Sequence, residues 1–167
     1  MSAYRYAGLA THIADEVRAT LRSPQYGHPA HRERARGYGP CRHCLRTFRV
    51  DEEDRLLFTY QPFAPGNLPT PGPVFIHADD CPRYDALAYP PDFRELPLVI
   101  EGYTTEGRLV AQVRVGDASP EAVVAGAQTR PPRLCTCGTG RRGASWRGWS
   151  GRAVRRLRGW AVRRLRG

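Results

Sequence analysis

Apolar residues recur at a spacing of four near the start of the chain, at Leu9, Ile13, Val17 and Leu21, with Asp15, Glu16 and Arg18 between them. That spacing predicts one amphipathic helix, ended near Ser23-Pro24. The next stretch, PQYGHPAHRERARGYGP, is rich in Pro, Gly and charge and reads as a long surface loop. CRHCLRTFRV and RLLFTYQPF are β-prone runs on either side of DEED, which predicts a hairpin. After the loop APGNLPTPG comes PVFIHADDC, a short apolar strand running into acids, and YPPDFRE reads as a turn or a single helical turn. The clearest hairpin is LPLVIEGY, TTEG, RLVAQVRV, where apolar and polar positions alternate with a period close to two. Ser119-Pro120-Glu121 supplies an N-cap, a proline at the first helical position and an early acid, so a second helix is expected near 119–127.

These elements predict an α+β fold: a single domain with an antiparallel sheet, an N-terminal helix and a second helix near its end. A length of 167 residues suits one domain with a real core. The opening MSAYRYAGLATHIADEV has no unbroken apolar run of signal-peptide length, and nothing later approaches the ~20 apolar residues of a membrane span. The chain is therefore expected to be soluble and cytoplasmic. Five cysteines without a secretory signal argue for thiols or metal ligands rather than a disulfide framework.

Charge changes the picture at one end only. The formal net charge is +10, which taken alone would suggest a nucleic-acid partner. Residues 128–167 hold twelve arginines and no acid, whereas residues 1–127 hold fourteen arginines against sixteen acids. All 26 basic residues are arginine. Lysine serves well as a point charge for phosphate, so its absence points to GC-rich coding rather than to selection for phosphate binding.

The segments GYGPCRHCL, LLFTYQPF, GPVFIHADDCPRYD and LPLVIEGYTTEGRLV, in that order, are similar to a bacterial family described only as domain of unknown function 1203. The resemblance covers roughly Tyr4 to Ala127 and implies no particular activity. It does imply a closing strand of tyrosine or histidine, valine, arginine and asparagine, then glycine, cysteine and an aromatic. The chain instead reads LCTCGTGRRGASWRGW. Joining the third base of each codon to the first two of the next turns Cys135-Thr136 into tyrosine or histidine. The same shift permits valine, arginine and asparagine in succession, and later cysteine and phenylalanine at Gly143-Ala144-Ser145. Residues 1–127 are accordingly expected to be the family-like domain. Residues 128–167 are expected to be an Arg/Gly-rich basic tail, disordered or non-native, read out of frame after a switch between about Ala125 and Leu134.

The competing reading of that tail is a basic amphipathic helix. Val154, Leu157, Ala161 and Leu165 form an apolar stripe among arginines, which could bind an anionic membrane or a phosphate backbone. Against it, Gly159 costs a helix about 1 kcal/mol relative to alanine. Non-specific polyanion binding by the tail stays open.

Among constellations that carry chemistry, Cys41-x-x-Cys44 with His77-x-x-x-Cys81 leads. Three thiolates and an imidazole form an acceptable tetrahedral zinc set, often built from two close pairs. Residues three apart on a strand face opposite ways, so Cys41 and Cys44 can chelate together only across a turn. Gly37, Gly39 and Pro40 supply turn chemistry before the pair, not inside it, and the resemblance implies that other residues occur at the position of Cys44. The plainer alternative is small buried thiols with a surface histidine. A cysteine nucleophile with His43 or His77 as base, oriented by Asp79 or Asp80, can also be written. The acids of DEED and HADD read as an exposed turn and an exposed strand end. No phosphate-cradling glycine loop is present. The residues thus predict an uncharacterised small domain, a binding or structural module rather than an enzyme. Its alternatives are a zinc-stabilised module through Cys41, Cys44, His77 and Cys81, a thiol-dependent enzyme, and a polyanion binder acting through the tail. No catalytic residue is assigned.

Overall fold

In the computed structural model the described residues are 4–37, 39–62, 71–94, 96–104, 108–115, 121–122, 134–139 and 161–164. The amphipathic stripe at the start forms helix α1, Thr11–Thr20, which buries Ala14 and Val17. Leu21 does not extend the helix. Its backbone turns left-handed (φ 50°) and its N–H bonds back to the Val17 carbonyl at 2.9 Å, leaving its side chain exposed.

Helix α1 packs on a three-stranded antiparallel sheet of β2 (His31–Arg34), β3 (Asp54–Tyr60) and β4 (Gly72–His77), with β3 in the middle. Leu56 and Phe58 of β3 and Val74 and Ile76 of β4 alternate inward, as a half-buried sheet requires. Strand β2 lies in the stretch whose composition predicts a surface loop, and the structure corrects that expectation. All four of its side chains are exposed, so it carries no apolar alternation to mark it; it is an edge held by backbone pairing and by cross-strand pairs such as Arg55 with Glu33. The expected hairpin between CRHCLRTFRV and RLLFTYQPF is therefore replaced: β3 pairs with β2 and β4, and residues 41–49 are not a strand.

A second, six-stranded sheet contains β1 (Tyr4–Ala7), β5 (Asp85–Ala86), β6 (Leu98–Tyr103), β7 (Leu109–Arg114), β8 (Leu134–Thr139) and β9 (Ala161–Arg164). Its order is β5-β1-β9-β8-β6-β7, and every pairing is antiparallel. The β6–β7 hairpin and the single helical turn at Pro91–Phe93 lie where the pattern puts them. Strands β8 and β9 fall within residues 128–167. The edge of β6 that a body ending at 127 would leave open is occupied by β8. Backbone pairing of this kind asks little of side chains, because every residue but proline offers the same donor and acceptor. The fold is α+β, with α1 the one full α-helix among the described residues. The second, near 119–127, lies largely outside the described residues, of which Glu121 and Ala122 are helical. Among the described residues no helix is long and apolar enough to cross a membrane.

Each sheet has its own core. Leu9, Val17, Phe48, Leu56, Phe58 and Ile76 build one together with Cys41, Cys44 and Cys81. Tyr6, Leu45, Tyr89, Phe93, Leu98 and Ile100 build the other. The short segment from Cys41 to Leu45 supplies side chains to both.

Candidate metal centre

That segment is a knuckle, not a strand. The Cys41 N–H bonds to the Arg46 carbonyl at 2.8 Å, the Leu45 N–H returns to the Cys41 carbonyl at 3.0 Å, and a bridge between Pro40 and Thr47 closes the base. Leu45 reverses the chain with φ 58°, a left-handed position that usually favours glycine. The turn needed for Cys41 and Cys44 to face one point therefore lies within the pair and just after it, which removes the objection raised by strand geometry. A leucine accepts the unfavourable backbone because its side chain is then delivered to the second core, where it is 1% exposed. Burial of a leucine contributes about 1.5–3 kcal/mol, against roughly 1–2 kcal/mol for the left-handed backbone.

The knuckle is clamped from two sides. The Arg42 N–H bonds to the Phe75 carbonyl of β4 at 2.7 Å, and the Arg42 carbonyl accepts the Leu9 N–H at 2.6 Å. Gly8 lies against the knuckle so tightly that a Cβ there would meet the His43 carbonyl oxygen at 2.1 Å.

The second pair comes from the end of β4. His77 is its last residue, and Cys81 follows across a short loop in which Asp80 Oδ1 accepts the Cys81 N–H at 2.9 Å. Register with β3 and the hydrogen bond from Arg42 to Phe75 set this loop beside the knuckle. One ligand atom from each of Cys41, Cys44, His77 and Cys81 lies within 4.8 Å of all the others, and all four residues are buried. Cys41 Sγ and Cys81 Sγ are 4.0 Å apart, and His77 Nδ1 is 3.4 Å from Cys44 Sγ. Metal–sulfur bonds of ~2.3 Å in a tetrahedron put neighbouring sulfurs about 3.8 Å apart. The set fits a tetrahedral metal ion after small adjustments.

Around the four candidate ligands stands a ring of polar partners. His77 Nε2 faces Glu53 Oε2 at 3.3 Å. The His77 backbone N–H donates to Cys41 Sγ at 3.4 Å. Arg18 of α1 reaches Cys81 Sγ with Nη2 at 3.4 Å and the His77 carbonyl with Nε at 3.3 Å. His43 Nδ1 is 3.4 Å from Cys81 Sγ, while its Nε2 is 3.2 Å from Thr11 Oγ1 at the start of α1. The Phe48 ring packs on the His77 ring at a centroid distance of 4.5 Å, and the Arg55 guanidinium lies 4.0 Å over Phe75.

Burial pushes the Cys41 thiol up, but hydrogen bonds from the Cys44 and Cys81 side chains and from the Cys44 and His43 backbone N–H groups bring it well below its usual value. Cys81 moves the other way, raised by its hydrogen bonds to Cys41 and Cys44 and by burial. One thiolate can form by accepting hydrogen bonds from its neighbours' S–H and N–H groups, and further ionisation is opposed by like charge at close range. A divalent cation removes that conflict. Burial lowers the His43 pKa, as does the Arg18 charge, which favours the neutral imidazole. Burial alone would raise the Glu53 carboxyl; the Arg49 backbone N–H and His77 outweigh it and hold it below its ordinary value.

The four residues singled out by spacing are thus brought together, and His77 is buried rather than at the surface. Asp79 and Asp80 are exposed, and the second ring nitrogens of His77 and His43 face Glu53 and Thr11 instead of them. A nucleophilic cysteine needs a thiolate that substrate can reach; the sulfurs here belong to residues at most 7% exposed. Glu53 and Arg18 are the residues that sequence reasoning missed. Glu53 is one of four consecutive acids, and Arg18 looks like an ordinary polar position on a helix.

A family model described as "Protein of unknown function (DUF1203)" matches residues 38–132, more than half of the chain and all four candidate ligands. The chain belongs to the DUF1203 family. The matched stretch starts later than the Tyr4 to Ala127 resemblance and leaves out β1, Gly8 just after it, and α1, which carries Thr11 and Arg18. No curated protein and no solved structure matches the chain.

Proposed function

We propose that this DUF1203 protein is a zinc-stabilised module in which Cys41, Cys44, His77 and Cys81 hold one structural Zn²⁺. The observation that carries this reading is the convergence of four buried donors within 4.8 Å from two separate parts of the chain. Three thiolates and an imidazole suit zinc, the ion most often held by sulfur and nitrogen in a tetrahedron. A full set of four protein donors leaves no open position for substrate, the mark of a structural rather than a catalytic site. The knuckle feeds side chains to both cores, so an ion held there would pin the two sheets to one point. Structural zinc contributes about 10–16 kcal/mol of apparent binding energy in small modules, and that energy is folding energy. The role supported is that of a binding or structural scaffold.

The test is thermal melting of the full-length protein with and without a strong chelator. The expected result is a large drop in Tm on chelation, restored by stoichiometric Zn²⁺ but not by Mg²⁺. Cys44→Ser is expected to melt like the chelated protein whether or not zinc is present. A melting curve untouched by chelation and by Cys44→Ser would contradict the proposal.

A further inference from the structure

We infer that Glu53 is a positioning residue for the metal centre, holding His77 so that Nδ1 faces the three sulfurs. The inference rests on the zinc reading and extends it outward by one shell. His77 has two ring nitrogens, and only one can point at a metal. Nδ1 lies 3.4 Å from Cys44 Sγ, on the sulfur side, and Nε2 lies 3.3 Å from the Glu53 carboxylate, on the opposite side. A neutral imidazole has one N–H, and a carboxylate accepts it, so the proton is kept on Nε2 and the Nδ1 lone pair is left for the ion. The carboxylate also makes the imidazole a stronger donor.

Glu53 is itself held. Its Oε2 accepts the Arg49 backbone N–H at 2.8 Å, and its Oε1 pairs with the Arg49 guanidinium at 3.2 Å. Asp51 takes a left-handed backbone (φ 61°) to close this turn, and its N–H bonds to the Ala35 carbonyl at 2.8 Å. Among the four acids of DEED, Glu53 is turned inward, with its side chain 13% exposed, while Asp51 and Glu52 are exposed. A carboxylate this sheltered, directed at one nitrogen of a buried histidine, is poorly explained as a solubilising charge. Its charge is balanced locally: an ion with three thiolates carries a net −1 and Glu53 adds another, while Arg18 touches Cys81 and Arg49 touches Glu53.

The experiment uses the full-length protein and Co²⁺ as the probe, competed against a chromophoric chelator, with Glu53→Gln and Glu53→Ala beside the unaltered chain. The expected result is a loss of Co²⁺ affinity of roughly 10–100-fold in Glu53→Ala, the range typical of lost outer partners of metal-bound histidine, with a smaller loss in Glu53→Gln. At saturation both variants are expected to keep the d–d and thiolate charge-transfer bands of the unaltered protein, because the ligand set is intact. In the zinc form, the Nε2-bound proton of His77 is expected to give a downfield signal that Glu53→Ala lacks. Affinities within about twofold of the unaltered protein in saturable, folded variants would overturn the inference and leave the zinc reading standing. Failure of the unaltered chain itself to take up Co²⁺ would overturn both, and that outcome is distinct because it needs no variant.

Discussion

A Cβ placed on Gly8 would sit 2.1 Å from the carbonyl oxygen of His43, closer than any real contact allows. The obstacle is backbone, held by the Leu9 N–H to Arg42 carbonyl bond on one side and by the Tyr84 N–H to the same His43 carbonyl on the other. Neither side can rotate away as a side chain would. Gly8→Ala is expected to destabilise the protein by about 1–3 kcal/mol, the usual cost of overpacking, read as a lower denaturation midpoint in urea at constant m-value. An unchanged midpoint would mean that the start of the chain does not dock on the knuckle.

Leu45 sets two effects against each other. Leu45→Gly would relieve a left-handed backbone worth roughly 1–2 kcal/mol and remove a core leucine whose loss costs about 2–5 kcal/mol. The second is larger, so Leu45→Gly is expected to lower stability, although glycine is the usual residue for such a turn. Leu45→Ala keeps the backbone cost and loses the packing, and is expected to be the worse of the two. Equilibrium urea denaturation of both variants checks the order.

Arg18 ties helix α1 to His77 and Cys81, the second pair of candidate ligands, donating to Cys81 Sγ and to the His77 carbonyl. Its ion pairs with Asp15 and Asp80 involve exposed carboxylates and contribute little. Arg18→Met retains a long apolar stem and removes the donors. It is expected to speed zinc loss to a chelator by about tenfold or more and to raise hydrogen exchange in α1, with the unfolding midpoint of the zinc-loaded form changing much less. Unaltered release kinetics would confine Arg18 to a surface role.

What could be read from the chain in advance follows from how local each signal is. Helix α1 and the β6–β7 hairpin are announced by their own periodicity, and the four candidate ligands by their spacing and residue type. Strand β2 reads HRER, an exposed edge with no buried face, so nothing in its pattern separates it from loop. The knuckle was hidden for a different reason: its left-handed residue is Leu45, chosen by a distant core, where a local reading looks for glycine. The inward turn of Glu53 and the burial of His77 depend on strand register across β3 and β4, which periodicity does not give. Strands β8 and β9 lie in the segment set apart by its overall arginine content and by the departure of LCTCGT from the closing strand that the resemblance implies, but pairing with β6 and β1 is made by backbone groups that neither signal reveals.

The central claim is the metal, and the most direct measurement is the metal content of the purified full-length protein by mass spectrometry, after removal of loosely held ions. The account predicts about one zinc per chain, as a closed four-ligand site holds, falling below a tenth of that when Cys41 and Cys81 are both replaced by serine. A zinc content below about a tenth per chain in the unaltered protein, not raised by refolding with Zn²⁺, would contradict it.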